Sequence, residues 1–137
     1  NNNDKFLRGR IRKLLKNLDK EGLSFDKFYL TLKNLSKSDQ VIEFFVKKNI
    51  NENSKYFWRD KKIILNQYFF KNPNEIILRS FMQIIQSISN KKNYPRGKKV
   101  ISLINSLKLS NNKVKLTLSG CIVEKIADSV IIYPENR

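Results

Sequence analysis

Apolar residues recur at helical spacing through most of this chain and give way to β-type runs in only two places. That change of period confines the fold to an α+β class that is predominantly α-helical. It predicts a helical body, a β-hairpin over about 55–70 and a small C-terminal β segment over about 113–133. Leu7, Ile11, Leu14, Leu15 and Leu18 share one side of a first helix and are expected to face a core. Gly22 suits a left-handed stop, Ser24 a new N-cap, and Leu23 with Phe28 a hydrophobic staple. Phe28, Leu32, Leu35, Val41, Ile42 and Phe45 continue the helical period, with residues 36–39 as a break or the cap of a third helix. Residues 49–54 are polar and read as a loop.

Further on, Asn72 at the cap, Pro73 in the first turn and Glu75 predict a helix whose buried face is Ile77, Leu78, Phe81, Ile84, Ile85 and Ile88. Val100, Ile101, Leu103, Ile104 and Leu107 form a second short helix. Strands are expected over 113–118, 121–125 and 130–133, turning at Ser119 with Gly120 and at Asp128 with Ser129. The whole span 1–137 is long enough for one domain with a real interior. The chain starts with Asn rather than Met, so a longer protein with an upstream part is expected.

The charge balance is less ordinary than the pattern. Lys and Arg number 28 against 12 Asp and Glu, a net charge of +16. Such a field attracts nucleic acid or anionic membrane surfaces. An AT-rich genome would also raise Lys, Asn and Ile, but would not thin out Asp and Glu. Arginine is not favoured by that bias either, which makes Arg8, Arg10 and Arg12 informative. Lys5, Arg8, Arg12 and Lys16 fall on an arc beside the apolar stripe of the first helix. Like charges three or four residues apart repel, so folding alone does not reward the row, whereas a docked polyanion would. The bland alternative is a solvated helix face.

A second cationic group, Lys92, Arg96, Lys98 and Lys99, surrounds Tyr94 in a loop that could meet a sugar–phosphate backbone while the ring stacks. A tight turn leading into a solvated helix start explains it equally simply. For Tyr56, Phe57 and Trp58 of the hairpin, stacking on a base competes with core packing, and core packing is expected.

Enzyme chemistry is scarce. The chain has no His, one Cys, no Gly-rich phosphate loop and no paired carboxylates, so no catalytic residue and no metal ligand is assigned. Cys121 reads as a small buried residue beside a tight turn. A single cysteine and no long apolar run or signal segment point to a cytoplasmic protein without a membrane partner.

Three short motifs, in order along nearly the whole chain, resemble one family. Arg8-Gly9-Arg10-Ile11-Arg12 followed by Leu14-Leu15 resembles the Arg-x-Arg-Ile-Arg helix that follows the catalytic domain in tRNA(Ile)-lysidine synthases. Tyr94-Pro95-Arg96 resembles the Tyr-Pro-Pro-Arg loop of alphaproteobacterial members, and Thr117-Leu118-Ser119-Gly120-Cys121 their Thr-Leu-Gly-Gly-Cys turn. Gly9 stands where Asn is frequent, Pro95 is single, and Ser119 replaces a glycine. The resemblance implies a ligase that uses ATP, with Mg2+, to join free lysine to the wobble cytidine of an isoleucine tRNA. It places this chain after the PP-loop ATPase domain, as the tRNA-contacting region, without the ATP loop and inactive alone. It implies that Arg8, or next Arg12, reaches back to the nucleotide site. The residues for tRNA are then Lys5, Arg8, Arg10, Arg12, Lys16, Lys92, Tyr94, Arg96, Lys98 and Lys99.

Two other classes stand beside this reading. A winged-helix-like DNA-binding module would use Arg79, Gln83 and Gln86 as its base-reading face. A non-catalytic interaction domain would need no nucleic acid at all. A monomer and a homodimer fit the sequence equally.

Overall fold

A computed structural model describes residues 2–20 and 25–135. The elements run α1 (Asn2–Lys20), α2 (Phe25–Asn53), β1 (Ser54–Phe57), β2 (Lys62–Leu65), a 3-10 turn (Gln67–Lys71), α3 (Asn74–Ser89), α4 (Gly97–Leu109), β3 (Val114–Leu118), β4 (Cys121–Ile126) and β5 (Ser129–Pro134). The fold is α+β and mostly helical. The chain divides into two compact units, Asn1–Val41 and Ile42–Arg137.

The second unit is built on a five-stranded antiparallel sheet in the order β1-β2-β5-β4-β3. Ser119 and Gly120 take positive φ of 51° and 80° between the paired Leu118 and Cys121, the two-residue hairpin geometry that matches strand twist. The next hairpin closes on Ile126 paired with Ser129, so its turn is Ala127 and Asp128, one residue earlier than expected. Ile63, Leu65, Val123, Val130 and Ile132 alternate onto one sheet face, where α3 and α4 cover them with Ile77, Phe81, Ile85, Val100, Ile104 and Leu107. Each such side chain is worth about 1.5–3 kcal/mol when fully buried. The Lys125 ammonium donates to the Leu107 and Ser110 carbonyls at 2.6 and 2.7 Å, satisfying orphan acceptors at the end of α4.

Several local expectations are corrected. No break occurs at 36–39: α2 is continuous, and Thr31 and Ser38 return their hydroxyls to Lys27 and Asn34 carbonyls at 2.9 and 3.0 Å. Residues 49–53 are helix rather than loop because Asn49 is a buried polar hub. Its amide donates to the Phe69 carbonyl at 3.4 Å and Ser80 Oγ at 3.2 Å; its oxygen accepts from Asn53 at 2.9 Å and Asn72 at 3.0 Å. The helix α3 begins at Asn74, so its cap position falls on Pro73, without a side-chain bond, rather than on Asn72. The β-hairpin is shorter than 55–70, since Asn66 Oδ1 accepts from the Tyr68 and Phe69 N–H groups at 2.9 and 3.2 Å and turns the chain out of the strand.

The hairpin aromatics do not enter the core. Trp58 is 82 % exposed, Tyr56 40 %, and Phe57 half-buried. α3 packs on β4 and β5 and α4 on β3, while β1 forms the opposite edge of the sheet.

In the first unit the predicted stripe of α1 is not buried: Leu7, Ile11 and Leu14 are 56, 47 and 60 % exposed. A helical stripe disappears from solvent only where another layer covers it, and the described residues supply too little cover. The side chains of Leu15, Leu18 and Phe28, and the stop and cap at Gly22, Leu23 and Ser24, lie outside the described residues.

Candidate nucleic-acid interface

Arg8, Arg10, Arg12 and Lys16 are all exposed along α1. Arg12, Lys13 and Lys16 border, with Gly9, an open depression of about 440 Å³. The ion pairs Lys62–Asp60, Arg79–Glu43 and Arg79–Glu75 lie elsewhere, and among the described residues none is found for this row. Exposed guanidinium groups without a carboxylate partner among the described residues suit bidentate contact with phosphate. A Cβ on Gly9 would meet nothing within 4 Å, so its glycine is not demanded by close packing among the described residues. The Lys5 side chain lies outside the described residues.

The second cationic group belongs to the other unit. Asn90 ends α3 in a left-handed conformation (φ 56°) and its N–H returns to the Gln86 carbonyl at 3.0 Å. The Gln86 amide donates to the Lys92 carbonyl at 3.0 Å, which pins the loop that follows. Pro95 is buried, whereas Lys92, Tyr94, Arg96, Lys98 and Lys99 are exposed. Tyr94, Glu43, Arg79, Met82 and Gln83 line a cavity of about 240 Å³. Lys98 and Lys99 occupy the first turn of α4, which contains no acidic residue. Two cations at the positive end of a helix macrodipole oppose folding, and a bound anion would relieve both terms at once. They border an open depression of about 460 Å³ shared with Ser102, Ser106 and Thr117.

The structure removes the base-reading face imagined for α3. Arg79 Nε donates to Glu75 at 2.8 Å and its Nη1 to Glu43 at 3.2 Å. Gln83 donates to the same Glu43 at 3.3 Å, and Gln86 is held by the loop. The opposite side of the helix, including Ile77, Phe81 and Ile85, is buried in the core. Cys121 is fully buried with Sγ 3.7 Å from the Ile85 carbonyl. Burial pushes its thiol up to about 11, while the positive charge of Lys91 pulls weakly the other way, so no thiolate forms near neutral pH.

Sequence reasoning named Trp58 but expected it in the core, because its position in an aromatic run signals an interior strand; it is 82 % exposed. The one cue was the adjoining Arg59-Asp60-Lys61, which marks a solvated turn. Among the described residues no helix is long and apolar enough to cross a membrane.

Comparison with known proteins extends the motif resemblance to almost the whole chain. It is 27 % identical over 132 residues to a tRNA(Ile)-lysidine synthase of Wolbachia sp. subsp. Brugia malayi (strain TRS), covering 96 % of this chain and 31 % of the relative. It is 25 % identical over 136 residues to the tRNA(Ile)-lysidine synthase of Wolbachia pipientis wMel, covering 99 % of this chain and 32 % of that protein. The chain therefore spans about a third of the length of the curated relatives it matches. No protein-family model and no solved structure matches it.

Proposed function

We propose that this chain is the tRNA-contacting region of a ligase that forms lysidine in tRNA(Ile), working with a catalytic part that binds ATP, Mg2+ and free lysine. The observation that supports this most directly is the similarity, over nearly all of this chain and about a third of theirs, to two proteins so named. The exposed arginines of α1, without carboxylate partners among the described residues, supply the matching chemistry. In the proposed reaction the cytosine C2 oxygen displaces pyrophosphate from ATP to become adenylated. The lysine amine then attacks C2, AMP leaves with the oxygen, and a proton is lost from the amine.

In this reading the chain holds and orients the RNA and contributes no acid, base or nucleophile. Arg10, Arg12 and Lys16 contact phosphate from α1, with Lys5 extending the row; Lys92, Arg96, Lys98 and Lys99 do so from the second unit, with Tyr94 against a sugar or base. Arg8 reaches toward the nucleotide, and Arg12 is second in line for that role. This chain alone forms no lysidine.

The experiment is lysine incorporation into tRNA(Ile) by the complete enzyme carrying Arg8→Ala and Arg12→Ala. Turnover per enzyme is expected to fall at least tenfold while the thermal unfolding midpoint stays within a degree or two. Full activity in that variant contradicts the reading.

A further inference from the structure

The tip of the β1–β2 hairpin carries the most exposed aromatic group of the second unit, and nothing in the fold calls for it there. Trp58 keeps 82 % of its surface in solvent. Its ring stands perpendicular to that of Tyr56, with centroids 4.7 Å apart and an interplanar angle of 88°. Tyr56 pairs with Ile63, which places it on the helix-covered side of the sheet, but it is itself 40 % exposed at the strand's end. An edge-to-face pair of this kind fixes the orientation of the indole while leaving it open.

The surrounding charge is one-sided. Between residues 55 and 62 the cations are Lys55, Arg59, Lys61 and Lys62, against a single acid, Asp60, which lies 3.6 Å from Lys62. Phe57, on the other face of the strand, already has the Lys55 and Lys62 ammonium groups 5.4 and 5.6 Å from its ring centre. The indole is therefore the open surface of the tip. Lys61 holds the turn with φ 49°, a left-handed conformation that shapes the tip locally. Arg59 and Lys61 follow Trp58 in the turn, and an open π surface with cations close by in the chain is a pairing used to hold nucleic-acid strands: the ring stacks on a base of any identity while the cations follow the backbone.

We propose that the β1–β2 tip is a stacking site for an unpaired nucleobase of the bound RNA, with Trp58 as the platform, Tyr56 as its brace and Arg59 and Lys61 on the adjoining phosphates. The proposal rests on the reading of this chain as an RNA-contacting region, and adds to it a strand-specific contact separate from the cationic groups of α1 and α4. A paired base, its faces covered by its neighbours in the helix, is not a ligand for this site.

Trp58 is the only tryptophan of the chain, so emission excited at the red edge beyond tyrosine absorption reports on this ring alone. The 137-residue chain is titrated with unfractionated tRNA, with a single-stranded oligouridylate and with a blunt RNA duplex of equal length. Stacking predicts that tRNA and oligouridylate quench the emission by half or more and the duplex does not. Trp58→Ala is expected to weaken oligouridylate binding at least about fivefold with an unchanged salt slope, and Trp58→Phe to restore most of it. Since the side chain is exposed, an unchanged circular dichroism melt will verify that Trp58→Ala folds.

Unquenched emission on saturation with tRNA, or Trp58→Ala binding like the wild type, overturns the stacking site and leaves the proposed function standing. An emission change only with vesicles containing phosphatidylserine also overturns it, in favour of a membrane contact. Failure of the wild type to bind any RNA overturns both.

Discussion

Residues 42–137 and residues 1–41 both contain helices of clear apolar periodicity, yet the two regions treat their apolar side chains differently. In the first of these, Ile77, Phe81 and Ile85 are at most 1 % exposed, because α3 lies on a sheet whose alternate residues face it. In the second, Leu7, Ile11 and Leu14 keep between 47 and 60 % of their surface. Periodicity therefore specifies an element and one of its sides, but burial depends on a second layer that the periodicity does not encode. Charge follows the same division. The cations of α1 stand in a row beside half-open apolar residues, whereas Arg79 in α3 is engaged by Glu43 and Glu75.

The contrast yields measurable differences. The largest is in packing: Phe81→Ala should cost about 3–5 kcal/mol in urea unfolding. Ile11→Ala, which opens no enclosed cavity, should stay below about 1 kcal/mol, and equal losses would erase the distinction between the regions. Next comes the polar hub. Asn49→Ala leaves the Asn53 and Asn72 amides without their shared acceptor and should cost about 1–3 kcal/mol in the same assay, a larger effect than its polarity in the sequence suggests.

A smaller effect concerns pH. The Cys121 thiol ionises more easily unfolded, near its ordinary value of 9.0, than folded, at about 11. The folded state therefore holds its proton longer, and this contribution, fully present below pH 9, is lost as pH rises to about 11. Chemical unfolding between pH 8 and 11 should show that decline, and Cys121→Ala should flatten it. Iodoacetamide at pH 8 should label Cys121 only after urea is added.

Much of the second unit was legible from residues alone. The turn at Ser119 and Gly120, the strand positions and the buried faces of α3 and α4 follow from alternation, turn chemistry and helical spacing, all of which are local. The misreadings at Asn49, Asn72, Tyr56 and Trp58 share one cause, partners distant in sequence. Asn49 reads as loop until Ser80, Asn72 and the Phe69 carbonyl are brought to it. Asn72 reads as a helix cap, but its amide donates to the distant Asn49 instead. Tyr56 and Trp58 read as core until the sheet order places β1 at an edge. For the candidate interface, the arginine row was visible as a charge pattern. The engagement of Arg79, Gln83 and Gln86 within the fold required the structure.

The central claim is that the α1 cations are there for phosphate. Filter binding of tRNA to this chain across a range of salt concentrations, with and without Arg10→Ala and Arg12→Ala, measures it most directly. Each lost phosphate contact removes about 0.7–0.9 from the log–log slope, so the double variant should bind more weakly with a slope shallower by about 1.5. A slope identical to that of the wild type would contradict the account.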